Sequence, residues 1–144
     1  MTSDVLDGIR VLVVEDEAII AMDIEYGLEQ AGADVLGPAV SNTEAEAHID
    51  AALRGDGLDV VLLDYNLLDG EAGPTARCAL KRGVRVVFHS GHASREQLGA
   101  QFPGCTLLSK PTPMDGIVEA VGAAARGDGS FSDARAQTDR TVRF

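Results

Sequence analysis

Three carboxylates, one ammonium and one hydroxyl stand where apolar runs of this sequence stop. "IRVLVV" (9–14) runs into Glu15-Asp16, with Glu17 next, and "VVLL" (60–63) runs into Asp64. "VRVVFH" (84–89) ends at Ser90, and "CTLLS" (105–109) ends at Lys110-Pro111. If these runs are parallel strands, all of those ends lie on one rim, where an open α/β sheet binds its ligands. Carboxylates about 4 Å apart repel by roughly 4 kcal/mol per pair at a surface-like effective dielectric. Lys110 offsets one negative charge of Glu15, Asp16 and Asp64. Of three negative charges two then remain, which a divalent cation cancels. Oxygen-only ligands select a hard ion, and few protein carboxylates select Mg²⁺. Such a set suits phosphoryl transfer. Asp64 is the candidate nucleophile, forming an acyl phosphate. Mg²⁺ and Lys110 neutralise the transferring oxygens, and Ser90 donates a hydrogen bond to the phosphoryl group. Singly, each residue has a plainer use: a helix cap, a turn, a solvated amine. Their coincidence on one rim is what argues for chemistry.

The elements that must position them alternate along the chain. Strands are expected at 9–14, 33–39, 58–64, 84–90 and 105–110. Helices are expected at 17–32, 41–55, 71–83, 94–102 and 113–127. In the first helix Ile20, Ala21, Ile24, Gly27, Leu28 and Ala31 share one face at helical spacing. The second helix starts at Ser41, Asn42 or Thr43 as cap and stops at Gly55. Pro74 falls in the first turn of the third, and Thr112-Pro113 open the last. Strand and helix five times over predicts an α/β fold with a doubly wound five-stranded parallel sheet. The near-continuous apolar strands require helices on both faces.

The 144 residues suit one domain, expected over 1–127, with 128–144 as a flexible polar tail. The formal charge of −11 disfavours nucleic acid and anionic membrane as partners. "MTSDVLDGIR" lacks the basic and apolar regions of a secretion signal. No stretch reaches the length of a membrane span. Cys78 and Cys105 have no metal-ligand spacing and read as reduced, small apolar residues, so a cytoplasmic location is expected.

The sequence resembles the receiver domain of bacterial two-component response regulators over roughly 8–126. "VVEDE" (13–17) resembles its acidic pair, "LLDYN" (62–66) its phospho-acceptor turn, "HSGH" (89–92) its switch-hydroxyl turn and "SKPTP" (109–113) its Lys-Pro turn. The resemblance implies the flavodoxin-like strand order 2-1-3-4-5. It implies that Asp64 accepts phosphate from a sensor histidine kinase or a histidine phosphotransferase. Mg²⁺ would be held by Asp16, Asp64 and the backbone carbonyl of Asn66, with Glu15 acting through water. Lys110–Pro111 would be a cis peptide. The sequence departs from the family in two ways. Leu107 occupies the usual switch-aromatic position, although Phe88-His89-Ser90-Gly91 partly matches a subgroup that also lacks this aromatic. The second is that no effector domain is expected by Phe144. The expectation is therefore a stand-alone, non-enzymatic receiver, a monomer or weak homodimer, that switches contacts with an output protein the sequence does not specify. The alternatives are a phosphate sink or shuttle in a phosphorelay and a Mg²⁺-dependent phosphatase. The phosphatase would need an acid where Asn66 stands. A flavodoxin-like cofactor site would need a phosphate loop that is not seen after the first strand.

Other features have two readings. Ile19, Met22 and Tyr26 form a second apolar stripe on the first helix, either partly covered by loops or a docking patch for the donor's helices. His89 and His92 have H-x-x-H spacing but no third ligand nearby, so zinc is not expected. His48 is expected on a solvated helix face. Gly116 and Gly122 either loosen the last helix or let it approach the sheet.

Overall fold

The computed structural model describes residues 4–91, 95–127 and 132–133. Strands β1 (Arg10–Val14), β2 (Asp34–Ala39), β3 (Val60–Leu63), β6 (Arg85–Ser90) and β7 (Thr106–Ser109) alternate with five helices. These are α1 (Ala18–Gln30), α2 (Asn42–Arg54), α3 (Gly73–Lys81), α4 (Arg95–Gln101) and α5 (Met114–Ala125). The sheet is parallel, in the order β2-β1-β3-β6-β7, and is extended at its edge by β8 (Ser132–Asp133). The five expected strands are thus present in the doubly wound arrangement. The two-residue β8 lies in the segment expected to be a free tail. The rest of that tail, and His92, lie outside the described residues.

Alternation along each strand divides the core in two. Leu12, Val14, Val61, Leu63, Val86, Phe88 and Leu107 face α2, α3 and α4, where Ile49, Ala76, Ala79 and Leu98 meet them. Val11, Val13, Val60, Leu62, Val87 and Leu108 face α1 and α5, where Ile24, Leu28, Ile117 and Val121 meet them. Burying one such Val, Leu or Ile side chain is worth about 1.5–3 kcal/mol. That double coverage is why the strands read as unbroken apolar runs. Phe88 and Phe102 add a tilted ring pair at 5.4 Å.

The helix limits have local causes. Ser41 caps α2, its Oγ accepting from the Glu44 N–H at 3.1 Å. Pro74 sits in the first turn of α3, where a missing N–H costs nothing. Gly122 is buried, and a Cβ there would meet Arg126 Nη1 at 3.1 Å and Leu6 Cδ2 at an ordinary 3.4 Å, so packing against the core does not by itself demand glycine. The β1–β2 register shifts between Leu12 and Val14, beside Gly37-Pro38. Gly37 has φ +96°, and a Cβ would meet the Val13 carbonyl oxygen at 2.8 Å. Both Gly37–Pro38 and Lys110–Pro111 are cis, the second as the resemblance implies. Cys78 and Cys105 are free thiols. His48 is half-buried rather than fully solvated. Among the described residues, no helix is long and apolar enough to cross a membrane.

One element was not expected. After β3 the chain forms a short antiparallel hairpin, β4 (Asn66–Leu67) and β5 (Gly70–Glu71), pairing Asn66 with Glu71.

Candidate functional site

Glu15, Asp64 and Lys110 each sit one step beyond a strand and are still tied to the neighbouring strand. The Glu15 N–H donates to the Ala39 carbonyl at 2.9 Å, Asp64 N–H to Val14 at 3.0 Å, and Lys110 N–H to Ser90 at 2.8 Å. The sheet's own ladder therefore fixes the side chains that leave it. Carboxylate oxygens of Glu15, Asp16 and Asp64 all lie within 4.8 Å of one another. Lys110 Nζ is 3.0 Å from Glu15 Oε1 and 3.4 Å from Asp64 Oδ2. The Glu17 N–H donates to Glu15 Oε2 at 3.2 Å, so Glu15 also serves the start of α1.

Glu15 is 2% and Asp64 8% exposed, so their charged forms are poorly solvated. Burial, partly offset by the Lys110 hydrogen bond and reinforced by the Asp64 charge, raises Glu15 to about 7. Burial also raises Asp64, against the opposing pull of Lys110 and an amide hydrogen bond from Asn66. Burial pulls Lys110 down, but its hydrogen bonds and charge contacts with Glu15 and Asp64 leave it raised. Crowded carboxylates that take up protons to stay together have the electrostatics of a cation site. Three clustered carboxylate oxygens with no nitrogen or sulfur donor fit a hard divalent ion.

Ser90 is buried at the end of β6, and its Oγ donates to the Gly91 carbonyl at 3.3 Å rather than to Asp64. Asn66 is exposed at the start of β4 and reaches the site through its backbone amide. His89 is buried with its Nε2 unpartnered; burial and then the Lys110 charge lower it to about 4, so it is a neutral imidazole. Among the described residues the acidic trio is the one cluster able to hold a metal, and His89 has no part in it. Leu107 is buried in the core facing α4. On α1, Ile19, Met22 and Tyr26 are 83%, 66% and 64% exposed. The stripe is open to solvent, not covered by loops.

Two residues around the site were missed in sequence. In sequence Asn42 stands out only as one of three possible caps, and Asp69 carries no assigned role. Asp69-Gly70 carried the usable signal, because Asp-Gly marks tight turns between strands.

A doubly wound α/β domain with a carboxylate trio and a lysine on its carboxyl rim has the architecture of a receiver domain. No family model matches the chain. It is 35% identical over 104 residues to Phyllosphere-induced regulator PhyR of Methylorubrum extorquens, covering 71% of this chain and 38% of that protein. A response regulator receiver domain protein from Clostridium thermocellum superposes with a TM-score of 0.74 at 25% identity, covering 83% of this chain and 96% of that one. The response regulator PhyR from Brucella abortus gives 0.70 at 26% identity, over 96% of this chain and 54% of that one. The chain is a response-regulator receiver domain. It spans well under two thirds of the length of both PhyR proteins.

Proposed function

We propose that this receiver domain is a phosphorylation-controlled interaction module. Its donor is a phosphohistidine on a sensor histidine kinase or histidine phosphotransferase in the cytoplasm. The observation that carries this reading is the Asp64 carboxylate, buried, 3.4 Å from an ammonium and clustered with two further acids. An Asp64 oxygen attacks phosphorus, a P–O bond forms, and the P–N bond breaks with its electron pair returning to the imidazole. Asp16, Asp64 and the Asn66 carbonyl, with Glu15 through water, would hold Mg²⁺, which supplies positive charge beside the transferring oxygens. Lys110 neutralises another phosphoryl oxygen from its position between Glu15 and Asp64. Ser90 gives up its 3.3 Å bond to Gly91 and donates to the new phosphoryl group.

Leu107 lies in the core, so no aromatic ring rotates inward at β7. The readout is a rearrangement of β6, α4 and β7 around Ser90. Phosphorylation shifts a pre-existing balance by its differential contacts, and a nearly complete switch needs about 5.5 kcal/mol. The open stripe of Ile19, Met22 and Tyr26 is the docking surface for the donor's helices. Asn66 bears an amide where a phosphatase would need a general acid, which favours a phospho-acceptor over an enzyme.

Incubation with acetyl phosphate and Mg²⁺ tests the assignment. Wild type takes up one acid-stable, base-labile phosphoryl group, and Asp64→Asn takes up none. Label that persists in Asp64→Asn overturns the proposal.

A further inference from the structure

Asn42 is a polar side chain in the core, only 7% exposed, and both ends of its amide are engaged. Its Nδ2 donates to Asp69 Oδ1 at 3.1 Å and to the Glu71 carbonyl at 3.0 Å. Its Oδ1 accepts from Thr75 Oγ1 at 2.6 Å and from the Thr75 N–H at 3.2 Å. Asp69 is held from the other side as well. Its Oδ1 accepts from the Asn42 N–H at 2.7 Å, and its Oδ2 accepts from the Thr43 N–H at 3.2 Å and Thr43 Oγ1 at 3.3 Å. The network bolts the β4–β5 hairpin to the start of α2 and the first turn of α3.

That hairpin leads back to the rim. Glu71, which Asn42 grips by its carbonyl, pairs with Asn66, and the Asn66 amide hydrogen-bonds to the Asp64 carboxylate. Two further ties keep the hairpin closed: the Ala72 N–H donates to the Tyr65 carbonyl at 2.7 Å, and Tyr65 OH donates to Glu71 Oε1 at 3.1 Å. Asn42 and Thr75 are the buried members, Asp69 and Thr43 being exposed. With both ends of the Asn42 amide engaged, the buried pair holds one geometry, because every alternative leaves one of its polar groups without a partner.

We propose that Asn42 is a positioning residue for the acceptor site. With Asp69 and Thr75 it holds Glu71, and through Glu71 it sets the Asn66 backbone against Asp64. The inference rests on the reading of Asp64 as a phospho-acceptor with Mg²⁺ beside it. Groups that orient metal ligands typically change affinity by about 10–100-fold when removed.

The test is Mg²⁺ binding to the unphosphorylated protein by calorimetry, with thermal unfolding of each variant alongside. Asn42→Ala and Asp69→Ala are expected to raise the Mg²⁺ Kd about tenfold. Ile49→Ala, a core change in α2 outside the network, lowers Tm but leaves the Kd within about twofold. If Asn42→Ala does not fold, Thr75→Val removes only the hydroxyl bond to Asn42 and is expected to raise the Kd about threefold. Unchanged affinity in the network variants, or an equal loss in Ile49→Ala, overturns the proposal and leaves Asn42 a helix anchor only. Wild type that binds no Mg²⁺ and takes no label from acetyl phosphate would instead remove the functional reading beneath it.

Discussion

At Glu15, burial and the Asp64 charge act against Lys110, and the balance sets a pH dependence. Its folded pKa of about 7 stands above the ordinary 4.5, so between those values the folded chain keeps a proton that the unfolded chain has released. The resulting stabilisation is fully present below about pH 4.5 and is lost as pH rises through 7, to a limit of about 3 kcal/mol. Glu15→Gln should flatten that decline in thermal unfolding. A bound cation competes with the same proton, so the Mg²⁺-induced rise in Tm should grow from about pH 5 to about pH 8. His89 has the opposite sign. Its folded pKa of about 4 lies below the ordinary 6.5, so the unfolded chain binds the extra proton and stability falls as pH drops from 6.5 towards 4. The loss approaches about 3 kcal/mol, and His89→Leu should abolish it with no loss at neutral pH, since Nε2 has no partner to forfeit. The carboxylates, Lys110 and Ser90 were legible because each interrupts an apolar run. The roles of Asn42 and Asp69 were not, because their partnership crosses 27 residues and exists only once α2 and the hairpin are packed.

Among the elements, strand and helix order could be read from periodicity, with limits shifted by a few residues at most. Strand β3 ends at Leu63, not Asp64: Asp64 keeps one ladder bond to Val14 while its carboxylate leaves the sheet. The β4–β5 hairpin escaped notice because two-residue strands show no period, and "YNLLDGE" reads as an ordinary loop. Gly37 marks the point where β2 departs from regular pairing with β1. Its positive φ and the 2.8 Å approach of a Cβ to the Val13 carbonyl predict that Gly37→Ala costs more than about 1 kcal/mol in urea unfolding. That cost falls on β1, the strand that presents Glu15 and Asp16.

For the whole molecule, the two faces of the sheet have separate cores, and the acidic cluster lies at the rim both share. The exposed stripe of α1 follows directly after Glu15 and Asp16, so under the proposed function a donor docked on that helix would bring its phosphohistidine to the acidic rim. Met22→Ala with Tyr26→Ala should slow phosphotransfer from the kinase about tenfold or more while leaving acetyl-phosphate labelling unchanged. Both side chains are largely exposed, so stability should move by less than about 0.5 kcal/mol per site. Equal rates for both donors in the variant and wild type would remove α1 as the docking surface. The charge of −11 and the apolar stripe on α1 could be read at once, but that the stripe stays uncovered emerged only from the packed fold.

Ser132 and Asp133 run alongside Thr106 and Leu107. They occupy the backbone margin at which a foreign strand would otherwise zip onto the sheet. While they stay there, a strand added to the sheet must extend it from β8 itself or from the opposite margin at β2, not from Thr106 and Leu107.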